Sequence, residues 1–479
     1  MAVENGWGEG AVNNTNDWGK AKANSTNGFG KIYETSNAGL TNIVGGGDTT
    51  DTFPFKIQLD LSSVTFPYTF QIRYVTGSNV TTDWGDGTSE VLNVTFNNIT
   101  HTYTDASITE PIIIFGNKTE GNSLSTFRVN ATASASRNEL KDIVQWGEGT
   151  WNSNANSLQF YGAHNVNASA TDTPIISGRA LQFGFYQALK MNPANINDWD
   201  VSNMTSFNNT FFEADSLNQD LNKWDVSNIT TFGALGFRGC TVFNGNVDNW
   251  DLSGITSGLG PMWMFCRNFN RDISTKSISA ADSPTGIAYT AWDIGANPNI
   301  TSMKDMFYQV SNAYGDFNQD ISNWDTSNIT TMKQMFLNHK SFNQPIGVWD
   351  VSSVTNMQYM VSQALAFNQN CSAWNLSTSL TSIDRFGFGN SMSDDNWTDT
   401  LVGWAVSTYK NSGPYNVSSI TNNSVNFIDS KTSDTASGQT YAIKYGSDWT
   451  ATGWTDSTDA RDYLTTATPT GAGWNITGD

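Results

Sequence analysis

The chain has 479 residues, room for two or three domains, and its 44 Asp and Glu against 24 Lys and Arg give a net charge of −20. That sign repels phosphate backbones and argues against nucleic acid as a partner, and three cysteines are too few for a disulfide scaffold. No stretch reaches the about 20 apolar residues of a membrane helix, and the opening MAVENGWGEGAV lacks the basic and apolar regions of an export signal. Neither membrane contact nor export is therefore expected, and the chain is expected to fold in the cytoplasm.

Residues 1–47 are Asn-, Ser-, Thr- and Gly-rich, with an aromatic followed by Gly at Trp7, Trp18 and Phe29, every 11 residues. No apolar face develops, so the segment cannot bury enough surface to fold alone. Aromatics at fixed spacing suit an extended strand that inserts Trp7, Trp18 and Phe29 into pockets of a partner. The segment GWGEGAVNNTNDWGKAKANSTNGFGKIYETSNAGLTNI resembles N-terminal regions of phage virion structural proteins, especially those of marine cyanophages. The resemblance implies attachment to capsid or tail proteins of a virion.

After a GGGD linker at 45–48, residues 48–138 carry alternating runs, FKIQLDL (55–61), YTFQIRYV (68–75) and PIIIFG (111–116), which predict antiparallel strands. DWGDGTSEVL places a hairpin turn at Asp86-Gly87. With the following His101-x-Tyr103 it resembles the PKD-type β-sandwich, a small Ig-like module of surface proteins, although SITEP stands where Gly-Thr-Tyr is usual. Asp83 and Asp86 offer oxygens to calcium, but satisfying turn amides is the preferred reading.

Residues 139–395 repeat. Trp199, Trp224, Trp250, Trp324, Trp349 and Trp374 each open a copy (WDVSNMT, WDVSNIT, WDLSGIT, WDTSNIT, WDVSSVT, WNLSTSLT), at spacings of 25, 26, 74, 25 and 25. The long gap holds a further copy at Trp292 with insertions on either side, looping out on one face. Seven residues before a Trp stands an apolar residue followed by Asn (Leu217, Phe243, Phe317, Phe342, Phe367), and eight after it Phe207, Phe232, Met332 or Met357. Such a period means stacked units that cannot bury their apolar residues singly, so the Trp residues are expected in the core. Each copy is expected to hold one short β-like piece at Trp-Asp-x-Ser and one helix-like piece, because Met332, Met335 and Phe336 fall at i, i+3 and i+4.

WDVSNMT…FNQDISNW, with Met-x-x-Met-Phe between, resembles the BspA-like leucine-rich-repeat surface proteins. Residues 140–174 resemble the block that opens such arrays, and NWTDTLVGWAVS (396–407) and 459–479 the block that closes them, within a C-terminal capping region at 396–479. The resemblance implies a solenoid displayed on a surface and no reaction. The expected fold is thus mostly β with short helical segments, an Ig/PKD-like sandwich followed by a leucine-rich-repeat-like solenoid of about 25-residue repeats.

Chemistry is hard to find. The histidines (His101, His164, His339) lie far apart, the cysteines lack metal spacing, and no nucleophile–base motif occurs. The recurrent acids Asp200, Asp225, Asp251, Asp325 and Asp350 share one repeat phase, as a structural position would. The sequons (Asn93, Asn117, Asn203, Asn228, Asn328) read as a by-product of Ser-Asn-Ile-Thr. Cys240 and Cys266 occupy equivalent places in adjacent copies and are expected to stay unbonded, because helix-like pieces would hold them about 8–10 Å apart. The expectation is a virion structural protein with no enzyme activity, no cofactor and no metal. It would be a capsid decoration or a head or tail fibre, a homo-oligomer on the particle, with a host-surface glycan or protein as the outer contact. A bacterial cell-surface adhesin and a polysaccharide-binding or -cleaving tailspike are the alternatives.

Overall fold

The computed structural model describes residues 54–410 except 117–123, 130–136, 152–156, 234–235 and 312, with short pieces at 3–4, 7–8, 32–36, 39–43, 420–421, 444, 452, 454–465 and 476–477. The protein is mostly β with few short helices, as expected. The strand Phe55–Leu59 buries alternate residues, Phe55, Ile57 and Leu59, and pairs antiparallel with Ile112–Phe115. The long strands Tyr68–Asp83 and Ser89–Tyr103 form the expected hairpin. The other side of Phe55–Leu59 takes Leu140–Gln145, so pairing crosses from the first β segment into the opening of the array.

The sheet then passes into the array by parallel pairing, Thr126–Val129 with Leu158–Phe160. The Phe160 amide donates in turn to the Gly184 carbonyl at 2.6 Å. Each later copy lies on the one before. One continuous set of buried side chains runs from Phe55 to Leu464.

The repeated residues fill columns. The Phe of Phe-Asn-Gln stacks on its equivalent: Phe243, Phe269, Phe317, Phe342 and Phe367 follow one another at 6.0–6.3 Å between centroids. The neighbouring Asn forms a ladder in which its Oδ1 accepts the backbone N–H of the next Asn, from Asn192 to Asn368, at 2.7–3.0 Å. Gln344 and Gln369 brace it by donating to the Asn of the copy before. In four copies the indole N–H of the Trp donates to the carbonyl three residues before the preceding Trp: Trp224 to Ile196, Trp250 to Leu221, Trp349 to Ile321 and Trp374 to Ile346. The same four carbonyls also accept the backbone N–H of the Trp three residues on, so the indole bond is a second one worth about 0.5–1.5 kcal/mol, and the motif is held by polar as well as apolar terms.

Neither half of a copy keeps the role expected of it. Met332–Phe336 is not helical. The alternate amides of Met332, Gln334, Phe336 and Asn338 donate to Asn356, Gln358, Met360 and Ser362 of the next copy at 2.8–3.0 Å. Between them the chain turns through left-handed residues, Gln334 at φ 57° and Asn338 at φ 65°. A series of tight turns also returns to one face every three or four residues, which is why the spacing imitates a helix. The Trp-Asp-x-Ser piece is itself a turn, with Asp Oδ1 accepting the Ser N–H two residues on. The parallel ladder begins after it, at Thr230, Thr256, Thr330, Thr355 and Thr381, each donating to the equivalent residue before it.

Copies in this half are therefore spaced as strands, about 4.8 Å, and the helix-packing argument about Cys240 and Cys266 fails. Both thiols are free and buried. Each donates to a carbonyl of the preceding copy at 3.0 Å, Cys240 to Phe211 and Cys266 to Phe237.

The insertions flank Trp292 as expected. The first forms an antiparallel hairpin, Lys276–Ile278 with Tyr289–Ala291. Trp292 then rejoins the column: its indole N–H reaches the Val247 carbonyl at 2.9 Å, and its ring stacks between Trp250 and Trp324 at 6.2 and 6.4 Å. At the far end the helix Asp394–Lys410 takes the place of a further copy. Trp404 stacks on Trp374 at 6.1 Å and donates to the Cys371 carbonyl; the Ser393 N–H donates to Asn368 Oδ1 as the next Asn would, and Asn396 Nδ2 donates to the same oxygen as the bracing Gln does.

Candidate functional site

Most residues singled out in the sequence have structural partners. Trp199, Trp224, Trp250, Trp324, Trp349 and Trp374 are all buried. Trp7 lies in a two-residue strand paired with Val3–Glu4, while Trp18, Phe29 and Asn117 lie outside the described residues. Asn228 and Asn328 donate through Nδ2 to carbonyls of the preceding copy, so these sequon side chains belong to the stacking.

The Asp-Trp-Gly-Asp motif closes on itself. Asp83 Oδ1 accepts the Gly85 N–H at 2.8 Å. Asp86 Oδ1 accepts the N–H and hydroxyl of Thr88, and Asp86 Oδ2 lies 2.6 Å from His101 Nε2. The His101 ring stacks on Trp84 at 4.6 Å, and the Tyr103 hydroxyl donates to the Trp84 carbonyl. Both carboxylates thus serve the turn. Among the described residues no group of three or more His, Cys, Asp or Glu could hold a metal ion.

An aromatic ridge runs along the array outside the core. Tyr161 stacks on Tyr186 at 4.4 Å and Tyr186 on Phe212 at 4.3 Å. The Arg238 guanidinium lies over Phe212 and Phe265 at 5.5 and 4.8 Å. The rings face one another along the stack, so their faces are occupied and a sugar ring would find edges.

The inserted hairpin makes a different feature. It folds back beside the Trp-Asp-x-Ser turns of two copies and lines with them a half-open pocket of about 200 Å³, with Asp225, Ser227 and Asp251 on the array side and Pro284, Thr285, Ile287 and Tyr289 on the hairpin side. Several contacts fix the hairpin. The Tyr289 hydroxyl donates to the Asn249 carbonyl, Asn249 Nδ2 to the Asp282 carbonyl, and Lys276 pairs with Asp248 at 2.6 Å. Burial, with Asp251, Asp225 and Asp248 nearby, raises the Tyr289 pKa far above its ordinary value. Sequence reasoning placed an insertion here but not the cavity. The only signal was that Trp292 arrives late while its downstream partners keep phase.

One family matches the array. Its model, described as "Mycoplasma protein of unknown function, DUF285", matches residues 179–293 and 280–397. The two matches tile the repeats and overlap within the hairpin and the start of the Trp292 copy. That fits the BspA-like resemblance at the level of a surface repeat family. No curated protein and no solved structure matches the chain.

Proposed function

We propose that this chain is a structural display protein of a phage virion, a decoration or fibre. In this reading residues 1–47 attach it to capsid or tail proteins, an Ig/PKD-like module spaces it, and a leucine-rich-repeat-like solenoid presents an outer face to the host. The observation that carries the reading is the use of the repeated polar residues. Asn, Thr, Trp and Asp of successive copies bond to neighbouring copies or to their own turns, which supports a scaffold role for what recurs. A bacterial cell-surface adhesin is the second reading, favoured by a family description that names a cellular organism. Deleting residues 1–44 tests the first. The truncated chain should fold, remain soluble and no longer join particles; normal occupancy on particles would refute the assignment.

A further inference from the structure

We propose that the pocket beside the hairpin 276–291 binds an alkylammonium group, presented as a lysine side chain by a basic segment of a protein partner. This deepens the display reading and rests on it, because it names what the outer face would touch. At Asp225 and Asp251 the hairpin lies beside two Asp-x-Ser turns and makes them one side of a half-open pocket.

That side is pre-oriented. Asp225 Oδ1 accepts the Ser227 N–H at 3.0 Å and its hydroxyl at 2.6 Å, and Asp251 Oδ1 accepts the Ser253 N–H at 2.9 Å. These bonds fix each carboxylate through one oxygen and leave the other for a guest. Among the described residues no cation of the chain pairs with either acid: the nearby Lys276 is taken by Asp248 and Asp272. The Tyr289 hydroxyl is committed to a carbonyl, so it offers the acids no proton. Trp224, Val226, Pro284 and Ile287 supply apolar lining, and Ile287 is 70% exposed.

Size and chemistry narrow the guest. A cavity of about 150 Å³ takes a benzene ring, whereas pockets for drug-sized ligands start at about 300 Å³. About 200 Å³ suits one unbranched stem with a charged head. Lysine buries its stem against apolar surface and keeps its ammonium on polar groups, which matches apolar lining beside two carboxylates. The net charge of −20 adds attraction for a basic partner.

Ligand-observed NMR on the full chain tests this with N-acetyl-lysine methylamide as the probe and N-acetyl-norleucine methylamide, which lacks the charge, as its control. Saturable binding of the lysine probe is expected, with the norleucine probe about tenfold weaker or more, as loss of a charge-assisted bond implies. Asp225→Asn and Asp251→Asn should each weaken binding by a similar factor, whereas Asp350→Asn, at an equivalent turn that does not line the pocket, should not. Ile287→Lys leaves both acids untouched and should block the site with the chain's own cation. Equal binding of the two probes, no binding of the lysine probe, or binding unchanged by Ile287→Lys would overturn the proposal. Particle incorporation is measured separately, so a failure here leaves the display reading standing.

Discussion

Replacing Trp324 probes the column that organises the array. Its ring lies between Trp292 and Trp349 at 6.4 and 6.2 Å, it is 3% exposed, and its indole N–H donates to the Ile273 carbonyl at 2.7 Å. Trp324→Ala empties that volume, which costs about 3–5 kcal/mol, and leaves the carbonyl without its donor. Trp324→Phe keeps most of the stack and removes only the donor, so about 1–3 kcal/mol is expected. Repeat arrays can open in parts, so the measurement should be local. Hydrogen exchange followed by mass spectrometry on peptides covering 317–341 and 342–366 reports the opening free energy of the copies on each side. Both variants should lower it, the Ala variant more, with effects fading within one or two copies. A loss below about 1 kcal/mol for Trp324→Ala would mean that the column does not form the core. A Phe variant as stable as the parent would mean that the indole bond contributes nothing.

Four further outcomes are expected. Asn318→Ala removes the acceptor of the Asn343 N–H and a partner of Gln344, and should lower the free energy of unfolding in urea by about 1–3 kcal/mol; an unchanged value refutes the ladder. Gly245→Ala would bring a Cβ to 1.8 Å from the Gln219 carbonyl, so destabilisation of about 1–3 kcal/mol is expected in thermal melts. Cys240 and Cys266 should resist thiol reagents until unfolding, because burial pushes both thiols up, Cys266 to about 12, and little thiolate forms; rapid native labelling would contradict the packing. His339 is buried with its pKa lowered to about 4 from 6.5, so the unfolded chain takes up the proton first. Stability should then fall by roughly 2 kcal/mol between pH 7 and pH 5, and His339→Gln should flatten that part of the curve.

The period, the Trp and Phe columns and the late arrival of Trp292 were legible because each depends on residue type at fixed spacing. The path of the backbone between them was not. Met332, Met335 and Phe336 satisfy a helical pattern, yet Gln334 and Asn338 adopt left-handed φ, and single-residue propensity gives no warning of that. The deciding bonds run to Gln358 and Ser362, and only the neighbouring copy supplies those acceptors. The Trp-Asp-x-Ser piece misled in the opposite sense: alternation of apolar and polar residues arose from a turn whose Asp holds its own Ser. The cavity was hidden for a related reason. Asp225 and Asp251 look the same as Asp325 and Asp350 until a segment beginning near residue 276 folds beside them.

The helix Asp394–Lys410 meets the last copy through Trp404 and Asn396, the same indole and amide contacts that a further copy would make. The junction is therefore indifferent to how many copies precede it. Were a copy added or deleted in register, both new neighbours would still find their acceptors in place. Length then becomes a heritable variable that changes in equal increments of about one strand spacing, 4.8 Å. The hairpin and both termini would be carried along unaltered, so a lineage could adjust its reach without re-evolving what it touches.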